Sequence, residues 1–169
     1  MAFNLMYSGD EYFDFDWLYA WCSGIAERDP RWFSVHETGT TRGGRPLLLL
    51  TLTDHESEGS VTERPAIWLD AGTHASEYTS VAAVVFTLSR WIERVRAGDD
   101  ELSSWLRRHA VHVMPCISPD GFQAMREGHP FVRSSLRPPK AGGARTGFED
   151  ADIDGDGRIL QMRWPHPAG

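Results

Sequence analysis

Two short apolar segments flank a long amphipathic one, and that order restricts the possible folds most strongly. Ala66 to Asp70 reads as a strand, Val81 to Val95 as a helix, and Ala110 to Met114 as a second strand stopped by Pro115. In the middle segment Val81, Val84, Val85, Leu88, Ile92 and Val95 share one helical face. Strand, helix and strand in that order pair in parallel through a right-handed crossover. Upstream, Trp17, Leu18, Trp21, Cys22 and Ile25 line one face of a helix over Asp14 to Glu27. Asp14 or Asp16 is a candidate cap for that helix, and Asp29-Pro30 ends it.

Trp32 to Thr38 and Pro46 to Thr53 read as strands joined by the turn-rich loop Gly39 to Arg45. The unbroken apolar run Leu47 to Leu50 predicts a strand covered on both faces. A polar loop runs from Asp54 to Arg64, and Leu102 to Arg107 reads as a short helix. The expected class is α/β: a partial mixed sheet with a βαβ unit, an edge hairpin and helices on both faces. Beyond Pro119 the chain is rich in Pro, Gly, Arg and Asp with little periodicity, which reads as functional loop. The expected division is residues 1–137 as a folded body and residues 138–169 as a Pro/Gly/Asp-rich insert.

A length of 169 residues suits one domain. The formal charge of −7 argues against a nucleic-acid partner and gives no attraction to anionic membranes. The N-terminus lacks a basic region followed by an apolar one, and no stretch approaches the ~18 apolar residues of a membrane span. A cytoplasmic location is the default expectation. Cys22 and Cys116 are isolated and read as buried free thiols.

The turn after Ala66–Asp70 reads GTHASE. Its His74 and Glu77 have the spacing of a metal-binding pair, and both offer normal zinc donors. They lie at the carboxyl end of a strand expected to be parallel and buried, where open α/β sheets place their sites. The competing reading is a histidine in a turn with Glu77 favouring the positive end of the following helix. A catalytic zinc takes three protein ligands, so a third must be found.

Farther on, Asp152, Asp154 and Asp156 occupy positions one, three and five of a calcium-loop pattern, with Gly157 at six. Arg158 would offer its backbone carbonyl at seven. Position twelve is Arg163 instead of a bidentate Glu, so calcium is expected weakly. The alternative is a solvated Asp/Gly turn.

The runs PAIWLDAGTHASEYTS and VHVMPCISPDGF resemble the zinc metallocarboxypeptidase family, the carboxypeptidase A-like peptidases. In that family His-x-x-Glu supplies two zinc ligands, and an Asn-Pro-Asp-Gly-aromatic segment follows the next strand. Here that segment is Ser118-Pro119-Asp120-Gly121-Phe122, with Ser in place of Asn, and Thr79 stands where an aliphatic is common. The resemblance implies zinc held by His74 and Glu77, a peptide substrate, and hydrolysis of C-terminal peptide bonds. It also implies an arginine that steadies the scissile carbonyl, best matched by Arg133, with Arg137 second. A fixed guanidinium stabilises the negative oxygen of a tetrahedral intermediate.

The resemblance further calls for an Asn-Arg pair, a later ligand histidine, a tyrosine and a glutamate base. Asn4 is the only asparagine, and no motif supports His36, His55, His109, His112, His129 or His166 as the third ligand. The chain therefore reads as the N-terminal part of a longer enzyme, inactive alone. Two rivals remain: a zinc amidohydrolase of the aspartoacylase-like group acting on N-acyl amino acids, and a non-catalytic calcium- or partner-binding module.

Overall fold

The computed structural model describes residues 6–129, 132–134, 151–160 and 165. The chain forms two compact units, Met1–Arg137 and Pro138–Gly169. Among the described residues all regular elements lie in the first. They are α1 (Phe15–Arg28), β1 (Phe33–Thr40), β2 (Pro46–Leu52), β3 (Ala66–Asp70), α2 (Tyr78–Arg96), α3 (Asp100–Leu106), β4 (Ala110–Met114) and α4 (Pro119–Arg126). A single 3₁₀ turn, Val61–Glu63, interrupts the polar loop before β3.

The fold is mixed α/β around an open four-stranded sheet of order β1-β2-β4-β3. β1 and β2 form the antiparallel hairpin, β2 pairs antiparallel with β4, and β3 pairs parallel with β4. The crossover from β3 to β4 carries α2 and α3. The expected βαβ unit and edge hairpin are thus both present.

Register explains the core. Leu52, Val111 and Ile67 stand side by side across β2, β4 and β3, as do Leu50, Val113 and Leu69. Leu48, Leu50, Leu52, Val111 and Val113 are buried, and they join Leu18, Trp21 and Ile25 of α1 and Val81, Val85, Leu88 and Ile92 of α2 in one cluster. Full burial of each aliphatic side chain contributes about 2 kcal/mol. The Asp14 carboxylate caps α1 by accepting the Trp17 N–H at 2.8 Å.

Three expectations need correction. Leu47 and Leu49 are only partly buried while Leu48, Leu50 and Leu52 are buried, so β2 alternates instead of being covered on both faces. The alternation follows from the two-residue period of a strand with one face in the core. β3 was expected to be buried, yet it is the sheet's outer strand, with Ile67 47% and Trp68 54% exposed. Among the described residues nothing pairs with its outer side. Finally, Pro119–Arg126 is a helix and not a loop. Its eight residues are too few to show a period. Pro119 at its start needs no N–H partner there, but Gly121 lowers the local propensity.

A buried polar cluster secures the loop after β2. Arg31 grips the Asp54 carboxylate with two hydrogen bonds of 2.8 and 3.1 Å, and Arg64 donates to Thr53 Oγ1 at 2.7 Å and to the Asp54 carbonyl. The Arg31 guanidinium holds the Asp54 carboxyl below the usual carboxylate range, aided by the Glu56 N–H and Arg107 against the opposing effect of burial. Cys22 and Cys116 are buried free thiols, and burial pushes both up, Cys116 to about 12. Neither is a nucleophile near neutral pH.

Candidate metal centre

Where β3 and β4 leave the sheet they stay bonded for several residues. The Ala71 N–H donates to the Met114 carbonyl, the Ile117 N–H to Ala71, and the Ser118 N–H to Gly72. Gly72 is needed here for two reasons. Its φ is +65°, and a Cβ on it would lie 2.9 Å from Val81 Cγ2 and 3.2 Å from Cys116 Sγ. The turn is therefore packed directly on the start of α2 and the end of β4.

Four residues, His74 to Glu77, then form a turn closed by the Glu77 N–H to the His74 carbonyl at 3.1 Å. Glu77 is the residue before α2, but its side chain does not cap the helix. It turns to His74 instead, with Oε1 2.8 Å from Nδ1. Side-chain exposures of 33% for His74 and 58% for Glu77 leave the pair open to solvent. Tight turning at Gly72 and the three-residue spacing bring the two donors together.

Arg133 reaches the same turn through its backbone. Its carbonyl accepts the Ala75 N–H at 2.7 Å, and Ser118 Oγ donates to the Thr73 carbonyl at 2.9 Å. The Arg133 side chain is exposed and makes no ion pair with a described residue. The Asp120 carboxylate, in the first turn of α4, is buried and accepts from Thr41 Oγ1, the Gly43 N–H and Arg45 Nη1 at 2.8, 3.0 and 3.2 Å. Sequence reasoning did not assign Ser118, Asp120 or Gly121 a part in the site, although they lie in the Ser-Pro-Asp-Gly-Phe segment it quoted.

A family model described as zinc carboxypeptidase matches residues 18–164. The chain belongs to the zinc carboxypeptidase family. Carboxypeptidase B of Astacus astacus is 32% identical over 111 residues, covering 66% of this chain and 34% of that protein. An inactive metallocarboxypeptidase of Saccharomyces cerevisiae is 29% identical over 113 residues, covering 67% of this chain and 26% of that protein. The crystal structure of thrombin activatable fibrinolysis inhibitor shares the fold with a TM-score of 0.67 at 20% identity, covering 78% of this chain and 32% of that one. The chain spans between about a quarter and a third of the length of the curated relatives it matches.

The family implies zinc, and the donor set at the turn accommodates it. Two donors about 2.1 Å from a tetrahedral zinc stand about 3.4 Å apart. The His74 and Glu77 donors at 2.8 Å need only a small opening. They fit as two of the three protein ligands. Among the described residues no further His, Cys, Asp or Glu completes a three-donor cluster with them. His112 is engaged with Thr51 Oγ1 at 3.0 Å, and His109 Nδ1 contacts the Trp105 carbonyl at 3.1 Å. Arg137 and His166 lie outside the described residues.

The aspartate loop belongs to the second unit. Asp152, Asp154 and Asp156 bring one carboxylate oxygen each within 4.8 Å of one another. Asp152 accepts the N–H groups of Gly155, Asp156 and Gly157, and Asp156 accepts that of Arg158. These bonds, that from Gly157 foremost, hold the exposed Asp152 carboxyl below the usual range. The loop's own amides thus offset the crowding of carboxylates. Calcium is not implied by the family and rests on this loop alone. Arg163 at position twelve lies outside the described residues. Among the described residues no helix is long and apolar enough to cross a membrane.

Proposed function

We propose that this chain carries part of the active centre of a zinc metallocarboxypeptidase that hydrolyses C-terminal peptide bonds. The observation that carries the reading is the contact between His74 Nδ1 and Glu77 Oε1 at the end of a parallel strand, in a turn bonded to the Arg133 backbone. His74 and Glu77 would hold the ion. Bound zinc supplies Lewis acidity to a carbonyl or water. Arg133 would lie beside the scissile carbonyl, its exposed guanidinium opposing the negative charge that grows on oxygen. Solvent exposure of the pair leaves a path for a peptide end.

The third ligand and the general base have no candidate among the described residues, so the isolated chain is expected to hold zinc weakly and to turn over no peptide. Zinc titration by calorimetry tests the first half of the reading. Measurable binding that disappears in both His74→Ala and Glu77→Ala supports it, and binding unaffected by either substitution removes it. Hydrolysis assays on the protein as it occurs naturally test the second half. Release of C-terminal residues from peptides supports a peptidase, while release from N-acyl amino acids alone favours the amidohydrolase. Absence of both, with zinc bound, favours a non-catalytic role like that of the inactive yeast relative.

The three carboxylates of the aspartate loop support a weaker second proposal, a calcium site completed by the Arg158 carbonyl. Lacking a Glu at position twelve, it would fall near the millimolar end of calcium loops, roughly 10⁻⁴ to 10⁻³ M. Calorimetry with calcium on the same chain and on Asp154→Asn decides it. Equal heats from both proteins, or none, would dismiss the site.

A further inference from the structure

Gly121 sits inside α4, where local propensity favours alanine by about 1 kcal/mol. Its surroundings forbid one. A Cβ at this position would collide with the Ser134 carbonyl oxygen, stand 2.8 Å from the Ser134 carbonyl carbon and 2.7 Å from the Ala75 Cβ. Backbone atoms cannot swing aside as the tip of a flexible side chain can. Ala75 is itself fully buried. The bare face at Gly121 is where three pieces meet: the first turn of α4, the Arg133–Ser134 backbone and the His74–Ala75 turn.

Those pieces are bonded around His74 on both sides. The Thr73 carbonyl accepts Ser118 Oγ at 2.9 Å, and the Ala75 N–H donates to the Arg133 carbonyl at 2.7 Å. The α4 turn is in turn fixed to the loop between β1 and β2 by the buried Asp120 carboxylate. The backbone on either side of the imidazole is therefore restrained by groups from, or packed on, one helical turn. Restraint of this kind lowers the ordering cost when a ligand binds.

We propose that Gly121 is a positioning residue. Lacking a side chain, it lets α4 clamp the Arg133–Ser134 backbone onto the His74–Ala75 turn, so that the donor pair and the guanidinium are held as one unit. Its purpose rests on the zinc reading above, whereas the clamp can be tested separately. A local preference for alanine overridden by tertiary crowding is the conflict between levels expected at functional sites.

The test uses the whole chain as wild type, Gly121→Ala and Ser118→Ala, read by amide hydrogen exchange and by competition for zinc with a chromogenic chelator. Gly121→Ala is expected to speed exchange at the Ala75 amide about tenfold or more, while Val111 and Val113 in β4 stay protected. Zinc affinity is expected to fall about ten- to a hundredfold, the range for groups that orient metal ligands. Ser118→Ala, which removes one hydroxyl, should show the same two changes to a smaller extent.

A Gly121→Ala protein with wild-type Ala75 protection and wild-type zinc affinity overturns the proposal. If Gly121→Ala unfolds throughout, losing protection at Val111 and Val113 as well, Ser118→Ala decides. Unaltered Ala75 exchange in that variant overturns the clamp, and faster exchange supports it. If the wild type binds no zinc, the peptidase reading fails, and Ala75 exchange alone decides whether the clamp exists.

Discussion

Glu77 shows at the scale of one residue how a side-chain partner displaces a stabilising role. A carboxylate just before a helix ordinarily favours the N-terminal dipole or caps it. Here α2 has no side-chain cap because Glu77 faces His74. Gly72 is the second residue on which the turn depends. Gly72→Ala would impose a left-handed backbone and press a methyl on Val81 and Cys116. A loss of about 1–3 kcal/mol in chemical denaturation is expected, with the destabilised protein keeping its helical circular dichroism at low denaturant. Asp54 supplies a pH-dependent term. Its carboxyl is lowered in the fold, chiefly by Arg31. It stabilises above the unfolded-state value, near pH 4, and that contribution is lost as pH falls through the folded value. Thermal unfolding between about pH 6 and 2 should therefore lose stability below about pH 4. Asp54→Asn should flatten this acid limb and cost about 2 kcal/mol near neutrality, where charged hydrogen bonds are lost.

At the scale of elements, α4 decides the geometry of the site more than its length suggests. Its eight residues join the hairpin through Asp120, and the His74–Glu77 turn and the Arg133–Ser134 segment through Gly121. Asp120 is the connecting group, since its carboxylate is 2% exposed and satisfied by three donors. Asp120→Ala is expected to cost about 3 kcal/mol, because the Arg45 charge and two further donors lose their acceptor. The Gly43 amide should lose its exchange protection in the same variant, while the β2 and β4 amides between Leu50 and Val113 keep theirs. The helix escaped sequence analysis because its evidence is tertiary. Pro119, Asp120, Gly121, Phe122 and Ala124 are buried together, so no alternation of apolar and polar residues marks a face. By contrast α2 was legible, its buried Val81, Val85, Leu88, Ile92 and Val95 all on the expected stripe.

For the whole molecule the outstanding feature among the described residues is the open edge of the sheet. Ile67 and Trp68 are half exposed on β3, and Trp68 is anchored through its indole N–H to Asp70 at 2.9 Å. An edge strand with large apolar side chains offers unpaired backbone groups to another chain. The isolated chain is expected to self-associate as its concentration rises, and Trp68→Lys to shift it toward monomer in analytical ultracentrifugation. A monomer at all concentrations in the wild type would show that the edge is protected in solution.

Sequence alone determined what depends on neighbours within a few positions. An aspartate cap at Asp14 or Asp16, the stripe of α2 and the spacing of His74 and Glu77 are all of this kind, because backbone geometry relates residues up to four apart, and the strand–helix–strand order follows from such local patterns. Tertiary structure alone decided that β3 lies at an edge, that β2 has one buried face, and that Pro119–Arg126 is a helix. It also decided that Gly121 touches Ser134 and that Ala75 bonds to Arg133. Those contacts join positions 13 to 58 residues apart. A sequence records which residues are present at such separations but not how closely the folded chain brings them.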